Sequence, residues 1–184
     1  MTADPDSLGA LLSGLIRDVP DFPEPGVVFK DISPLLADPH GFRTVVSELA
    51  EVGRDSSGAA TVNKVVGIEA RGFILAAPVA LALNAGFVAV RKAGKLPRAT
   101  HQESYDLEYG HATLEVHRDA LASGDRVLVI DDVLATGGTI TATRKLIERC
   151  GATVRGVAVL IELGSMSGRE ALSPHQVSAL MTVQ

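Results

Sequence analysis

The 184-residue chain has one cysteine, no tryptophan and only 4% aromatic residues. A single thiol, Cys150, excludes an internal disulfide, and its place beside Gly151 at the close of a helical pattern assigns it to a buried, inert position. With 46% hydrophobic residues and so few rings, the core must be aliphatic, as in parallel sheets covered on both faces. No apolar run approaches the roughly 20 residues of a membrane span. The start of the chain, with Asp4 and Asp6, lacks the basic beginning of a signal peptide. Net positive charge is missing too: the formal charge is −5 and the pI about 5.5, which argues against general nucleic-acid or anionic-membrane binding. The expectation is a cytoplasmic protein with no nucleic-acid and no membrane partner, of a length that suits one domain. Repeats and low-complexity segments are absent from the sequence.

What is present centres on Val127 to Thr139. Val127-Leu128-Val129-Ile130 is an apolar, mostly β-branched run that reads as a strand buried on both faces. Asp131 and Asp132 follow, then the turn Ala135-Thr136-Gly137-Gly138-Thr139, then a helical pattern from Ile140 to Arg149. A turn between a strand and a helix presents backbone N–H groups at the positive end of the helix dipole, which makes an anion seat suited to a phosphate monoester. Gly137 and Gly138 allow close approach and positive φ, and Thr136 and Thr139 add hydroxyl donors. Carboxylates beside a phosphate need partners, either ribose hydroxyls or a magnesium ion. A sugar 5-phosphate satisfies both halves. Neither Gly-x-x-x-x-Gly-Lys-Ser/Thr nor Gly-x-Gly-x-x-Gly occurs in the chain, so this is neither a Walker loop nor a dinucleotide fingerprint.

Around this stretch the chain alternates strand and helix patterns, which predicts an α/β fold with a parallel sheet and helices on both faces. Helices are expected over Ser7–Val19, Asp38–Val52 and Phe73–Leu83, with Ser7 as a possible N-cap. Strands are expected over Lys64–Ile68, Phe87–Val90, Val154–Ile161 and Val177–Val183. The turn Glu69-Ala70-Arg71-Gly72 follows one strand. Arg91-Lys92-Ala93-Gly94-Lys95-Leu96-Pro97-Arg98, with four cations and no acid, follows another. That local basic patch in an acidic chain suits a compact polyanion such as pyrophosphate. Turns directly after parallel strands meet at one sheet edge, where ligands bind. Ala99 to Val116 reads as a long polar lid. Phe22-Pro23-Glu24-Pro25-Gly26 is a stiff entry to the extended Val27-Val28-Phe29-Lys30-Asp31, which could wall a flat ligand. His101, His111 and His117 form no metal-ligand pattern.

Val127 to Thr139 resembles the phosphoribosyl pyrophosphate signature of the type I phosphoribosyltransferases. Ala135 is similar to the adenine branch, where the hypoxanthine and orotate branches usually carry Asp. The resemblance spans about residues 7–175 and implies further roles, position by position. Val28, Phe29 and Lys30 match the segment that faces the adenine edge; the family often has Arg at Lys30, and Lys keeps the charge but loses the planar fork. Glu69, Ala70 and Arg71 match the pyrophosphate loop, with Arg71 on pyrophosphate, and Arg91, Lys92 and Lys95 join that subsite. Leu107-Glu108-Tyr109-Gly110 matches the hood, whose glutamate has a proton-transfer role at the base, here Glu108. Leu163 matches the apolar residue that packs on the adenine face.

The resemblance thus implies a type I phosphoribosyltransferase fold, a parallel twisted sheet flanked by helices on both faces with a small β-rich hood. It implies one domain, 1–184, with an N-terminal helix and base-facing segment at 7–36 and a flexible hood at 95–117. The implied activity is purine salvage: adenine and phosphoribosyl pyrophosphate give AMP and pyrophosphate, with Mg2+ held mainly by substrate rather than by a protein metal site. A homodimer is implied, with Arg91 serving the partner's site. Three rival readings are an enzyme for guanine, hypoxanthine or xanthine, a phosphoribosyl-pyrophosphate-sensing regulator, and a non-catalytic phosphate-binding module. Ala135 and the Phe-Pro-x-Pro-Gly segment oppose the first. The absence of a basic face or an added DNA-binding segment opposes the second, and Glu108 with Arg71 opposes the third.

Overall fold

The computed structural model describes residues 8–106, 110–173 and 176–184. It divides into two compact units, residues 1–46 and 47–184.

In the first unit, helix α1 (Leu8–Leu15) gives way to strand β1 (Arg17–Pro20), which pairs antiparallel with β2 (Val28–Asp31). The helix expected to reach Val19 therefore stops at Leu15; its proposed N-cap, Ser7, lies outside the described residues. Pro20 disfavours helical backbone before it, and Asp18, opposite Lys30 in the ladder, takes a 2.7 Å bond from the Lys30 ammonium. Phe22 and Phe29 meet edge to face, with centroids 5.2 Å apart. A short helix α2 (Ser33–Ala37), with Pro34 in its first turn, precedes α3 (Pro39–Glu51), which spans the boundary between the units.

The second unit contains the seven-stranded sheet. In chain order it comprises β3 (Lys64–Ile68), α4 (Arg71–Ala82), β4 (Gly86–Lys92), β5 (Thr100–Asp106), β6 (His111–His117), β7 (Arg126–Leu134), α5 (Gly138–Arg149), β8 (Thr153–Leu163), α6 (Gly168–Ala171) and β9 (Val177–Val183). The strand order is β5-β6-β4-β3-β7-β8-β9. The pairs β4/β3, β3/β7, β7/β8 and β8/β9 are parallel, while β5 and β6 extend the β4 edge as an antiparallel hairpin. This is the α/β architecture expected, with the β5–β6 strands continuous with the main sheet. Val66, Ile68, Val90, Val127, Val129, Leu146 and Val159 lie in one aliphatic cluster, buried at 9% exposure or less. The hairpin is tied to α5 by Glu103, which bonds Lys145 at 2.9 Å and Arg149 at 3.0 Å. Cys150, expected to be buried, is half-buried, and burial pushes its thiol pKa up.

Candidate active site

Because β3, β4, β7 and β8 run parallel, their carboxyl ends, Ile68, Lys92, Leu134 and Leu163, share one edge of the sheet. The charged turns leave from that edge, and ion pairs join them.

Glu69 is the first junction. Its carboxylate accepts 2.6 Å and 3.0 Å bonds from the Lys95 ammonium and the Lys92 backbone N–H, and two longer ones, 3.3 and 3.4 Å, from the Arg91 guanidinium. Burial pushes this carboxyl upward, but the bonds from Lys95, Lys92 and Arg91 outweigh it and hold the pKa at about 2. The basic patch is thus partly neutralised within the chain, and Arg91 also donates to the Lys95 carbonyl at 3.1 Å. Arg91 and Lys92 are the last residues of β4 rather than members of the following loop.

Arg71 and Asp132 are the second junction, 2.5 Å apart. Strand β7 continues past Ile130 to Leu134, so both acids lie inside the strand, and alternation sends their side chains to opposite faces. Asp132 faces Arg71. The Asp131 carboxylate accepts the Asp132 N–H at 2.9 Å. Gly72 is pressed against it, since a Cβ there would stand 2.8 Å from Asp131 Oδ1. Burial, then the neighbouring Asp132 charge, raises the Asp131 pKa well above the usual carboxylate range.

The third element is the anion seat. Gly137 caps α5 in a left-handed conformation, φ 84°, which a side chain would strain. The first helical bond runs from Thr141 N–H to the Gly137 carbonyl at 2.9 Å. The N–H groups of Gly138, Thr139 and Ile140 thereby have no intrahelical acceptor, the arrangement that suits a phosphate. Ala135, Thr136, Gly137 and Thr139 line a hollow of about 60 Å³ there. A larger cavity of about 440 Å³ lies between Thr136, Gly138 and Lys145 on one side and Ser104, Tyr105 and Asp106 of the hairpin on the other.

Two contacts behind the seat have no signature in the sequence. Gly168 of α6 packs so closely on the turn that a Cβ there would stand 2.0 Å from the Ala135 carbonyl oxygen. Arg169 then bonds both carboxylate oxygens of Glu162, at 2.9 and 2.5 Å, with Glu162 only 7% exposed. Among the remaining expected residues, Ala70 is exposed and Leu163 half-buried. Val28, Phe29 and Lys30 lie in the first unit, with Val28 48% exposed and Lys30 bonded to Asp18. Glu108 lies outside the described residues.

An anion seat, two adjacent acids and a joined set of cations at the carboxyl edge of a parallel sheet define an α/β protein built for a phosphorylated sugar carrying a second polyanionic group. Known proteins agree with that class. The family model described as the phosphoribosyl transferase domain matches residues 36–179. An adenine phosphoribosyltransferase of Nocardioides sp. is 64% identical over 92% of this chain and 91% of its own length. The crystal structure of an adenine phosphoribosyltransferase from Rhodothermus marinus superposes with a TM-score of 0.88 at 51% identity, covering 95% of this chain and 98% of that one. A Trypanosoma brucei adenine phosphoribosyltransferase in complex with AMP, pyrophosphate and ribose-5-phosphate has a TM-score of 0.85 at 26% identity, covering 98% of this chain and 82% of that one. The chain belongs to the phosphoribosyltransferase family and, within it, to the adenine phosphoribosyltransferases.

Proposed function

We propose that this chain transfers the 5-phosphoribosyl group from phosphoribosyl pyrophosphate to adenine, giving AMP and pyrophosphate, as a purine salvage enzyme. The observation that carries the reading is the continuous series Lys95–Glu69, Arg71–Asp132 and the Ala135–Thr139 turn, which sets cations, acids and a phosphate seat along one edge. In the reaction the bond from the anomeric carbon to the pyrophosphate oxygen breaks, the bond to the base nitrogen forms, and the base gives up a proton. Arg71, Lys92 and Lys95 stabilise the charge that gathers on the departing pyrophosphate. Asp131 and Asp132 hold the ribose and favour positive character at the anomeric carbon. The turn anchors the 5-phosphate, remote binding energy that serves the reacting centre. Glu108 takes the proton from the base, and Leu163 contacts its face.

Among the described residues no group of three or more His, Cys, Asp or Glu is placed to hold a metal. The pair Asp131 and Asp132 fits an Mg2+ carried mainly by substrate oxygens, and that ion would neutralise pyrophosphate charge. We read residues 1–184 as one catalytic domain, cytoplasmic, acting as a homodimer. Ile74, Leu81 and Phe87, at 44%, 83% and 41% exposure on α4 and β4, support a second copy as partner. No described helix is long and apolar enough to cross a membrane.

The test is pyrophosphate release from phosphoribosyl pyrophosphate and adenine in magnesium buffer, with Glu108→Ala and Asp132→Asn variants alongside. Turnover by the wild type, with a drop on the order of 100-fold or more in each variant, is the expected result. Full activity in Glu108→Ala would remove that residue from proton transfer, and a wild type inert with adenine would refute the reading.

A further inference from the structure

Strand β6 carries a carboxylate into the interior of the hairpin. Glu115 is 2% exposed and stands in register between Arg91 of β4 and Gln102 of β5. Its Oε1 accepts the backbone N–H groups of Lys95 and Leu96, each at 2.9 Å. Its Oε2 accepts the Thr100 hydroxyl at 3.3 Å and the Gln102 amide at 3.2 Å. Both oxygens are therefore used, which is what a buried charge requires. Burial pushes this carboxyl up, but the bonds from Leu96, Gln102 and Lys95 outweigh it and keep the group ionised.

The backbone donors belong to the turn after β4, which carries Lys95 and follows directly on Arg91 and Lys92 at the end of the strand. Lys95 is gripped at both ends: Glu115 holds its amide, and Glu69 holds its ammonium at 2.6 Å. We infer that Glu115 is a positioning residue for pyrophosphate, fixing the Lys95–Leu96 backbone so that the Lys95 ammonium group is placed before the ligand arrives. The inference rests on the proposed assignment of Lys95 to the pyrophosphate subsite.

Electrostatics alone predicts the opposite sign. An anionic group beside a polyanion site repels the ligand, so its removal should tighten pyrophosphate binding. If the backbone contacts dominate, its removal loosens binding despite the gain in positive charge. Glutamine separates the two effects. It removes the charge while its carbonyl oxygen still accepts the Lys95 and Leu96 N–H groups, and the Gln102 amide can turn to meet the new amide donor.

The experiment is calorimetric titration of inorganic pyrophosphate with magnesium, and separately of AMP, into the full chain. Wild type, Glu115→Ala, Glu115→Gln and Glu115→Asp are compared, with circular dichroism confirming that each is folded. Glu115→Ala should bind pyrophosphate about 10-fold or more weakly, since misplacement of a binding group by on the order of 1 Å costs up to about 100-fold. AMP, whose phosphate takes the Ala135–Thr139 turn, should bind within about twofold of wild type, and Glu115→Gln should hold pyrophosphate as well as wild type or better. Unchanged or tighter pyrophosphate binding by folded Glu115→Ala overturns the inference, as does equal weakening of both ligands. If the alanine variant fails to fold, Glu115→Asp carries the test: its carboxylate sits one methylene short of the two amides, so pyrophosphate alone should weaken, and wild-type affinity would overturn the inference. A wild type that binds AMP but not pyrophosphate refutes the subsite assignment itself, and the inference with it.

Discussion

Replacing Gly168 by alanine would set a methyl group 2.0 Å from the Ala135 carbonyl oxygen and 2.9 Å from the Leu134 side chain. Carbon and oxygen do not sit at that distance, so α6 and the phosphate turn must part by about 1 Å to restore even a 3.0 Å contact. The other side of the contact is also tight, because a Cβ on Gly137 would stand 2.8 Å from the Gly168 carbonyl oxygen. Overpacking of this kind costs about 1–3 kcal/mol. At about 2–4 °C per kcal/mol for a chain of this size, the midpoint should fall by roughly 2–12 °C. The functional effect should be selective. A shift on the order of 1 Å in the turn lowers kcat/KM for phosphoribosyl pyrophosphate by about 10- to 100-fold. Pyrophosphate, whose proposed cations Arg71, Lys92 and Lys95 all lie outside that turn, should bind within about twofold of wild type, because additivity holds for sites without shared partners. Initial rates at varied phosphoribosyl pyrophosphate, a thermal melt and a pyrophosphate titration read all three. Wild-type kcat/KM with an unchanged melt would show that the contact does not support the seat.

Glu69, held at about 2 against an ordinary 4.5, contributes stability that is fully present above pH 4.5 and is lost as the pH falls through 2. The contribution amounts to at most about 3 kcal/mol. Melting midpoints between pH 7 and pH 2 should therefore fall more gently for Glu69→Gln than for wild type across that window, and parallel curves would contradict the assignment. Arg169→Ala removes the partner of the buried Glu162 carboxylate and the donor to the Val177 carbonyl at 2.5 Å. Since the Arg169 side chain is 49% exposed, solvent screening reduces the loss, and about 1–2 kcal/mol is expected, read as a lower melting midpoint.

The order of elements over residues 127–149 was legible because one pattern, a buried strand, a glycine-rich turn and an amphipathic helix, is dictated locally. Lys64–Ile68 and Val177–Val183 were read with their true ends for the same reason, being short β-branched or apolar runs bounded by turn residues. The end of α1 was not, because Arg17 to Pro20 become a strand only by pairing with Val28 to Asp31. The extension of β7 through Asp131 and Asp132 was hidden in the same way: two acids read as a strand end, yet β8 pairs with β7 as far as Leu134. Helix α2 is five residues long, too short for helical periodicity to show. At the site, the residue types pointed to phosphate, ribose and pyrophosphate chemistry. Glu115, Glu162 and Gly168 could not be placed in that way, because each acts on segments brought near it only by folding. Glu115 gains its role only where the fold brings the Lys95 and Leu96 N–H groups to its carboxylate.

The most direct test of the central claim is nucleotide formation from phosphoribosyl pyrophosphate and an equimolar mixture of adenine, guanine, hypoxanthine and xanthine, with magnesium, resolved by chromatography. The account predicts AMP as the dominant product, with pyrophosphate released in equal amount. Preferential formation of another nucleotide, or no nucleotide while phosphoribosyl pyrophosphate still binds, would contradict it.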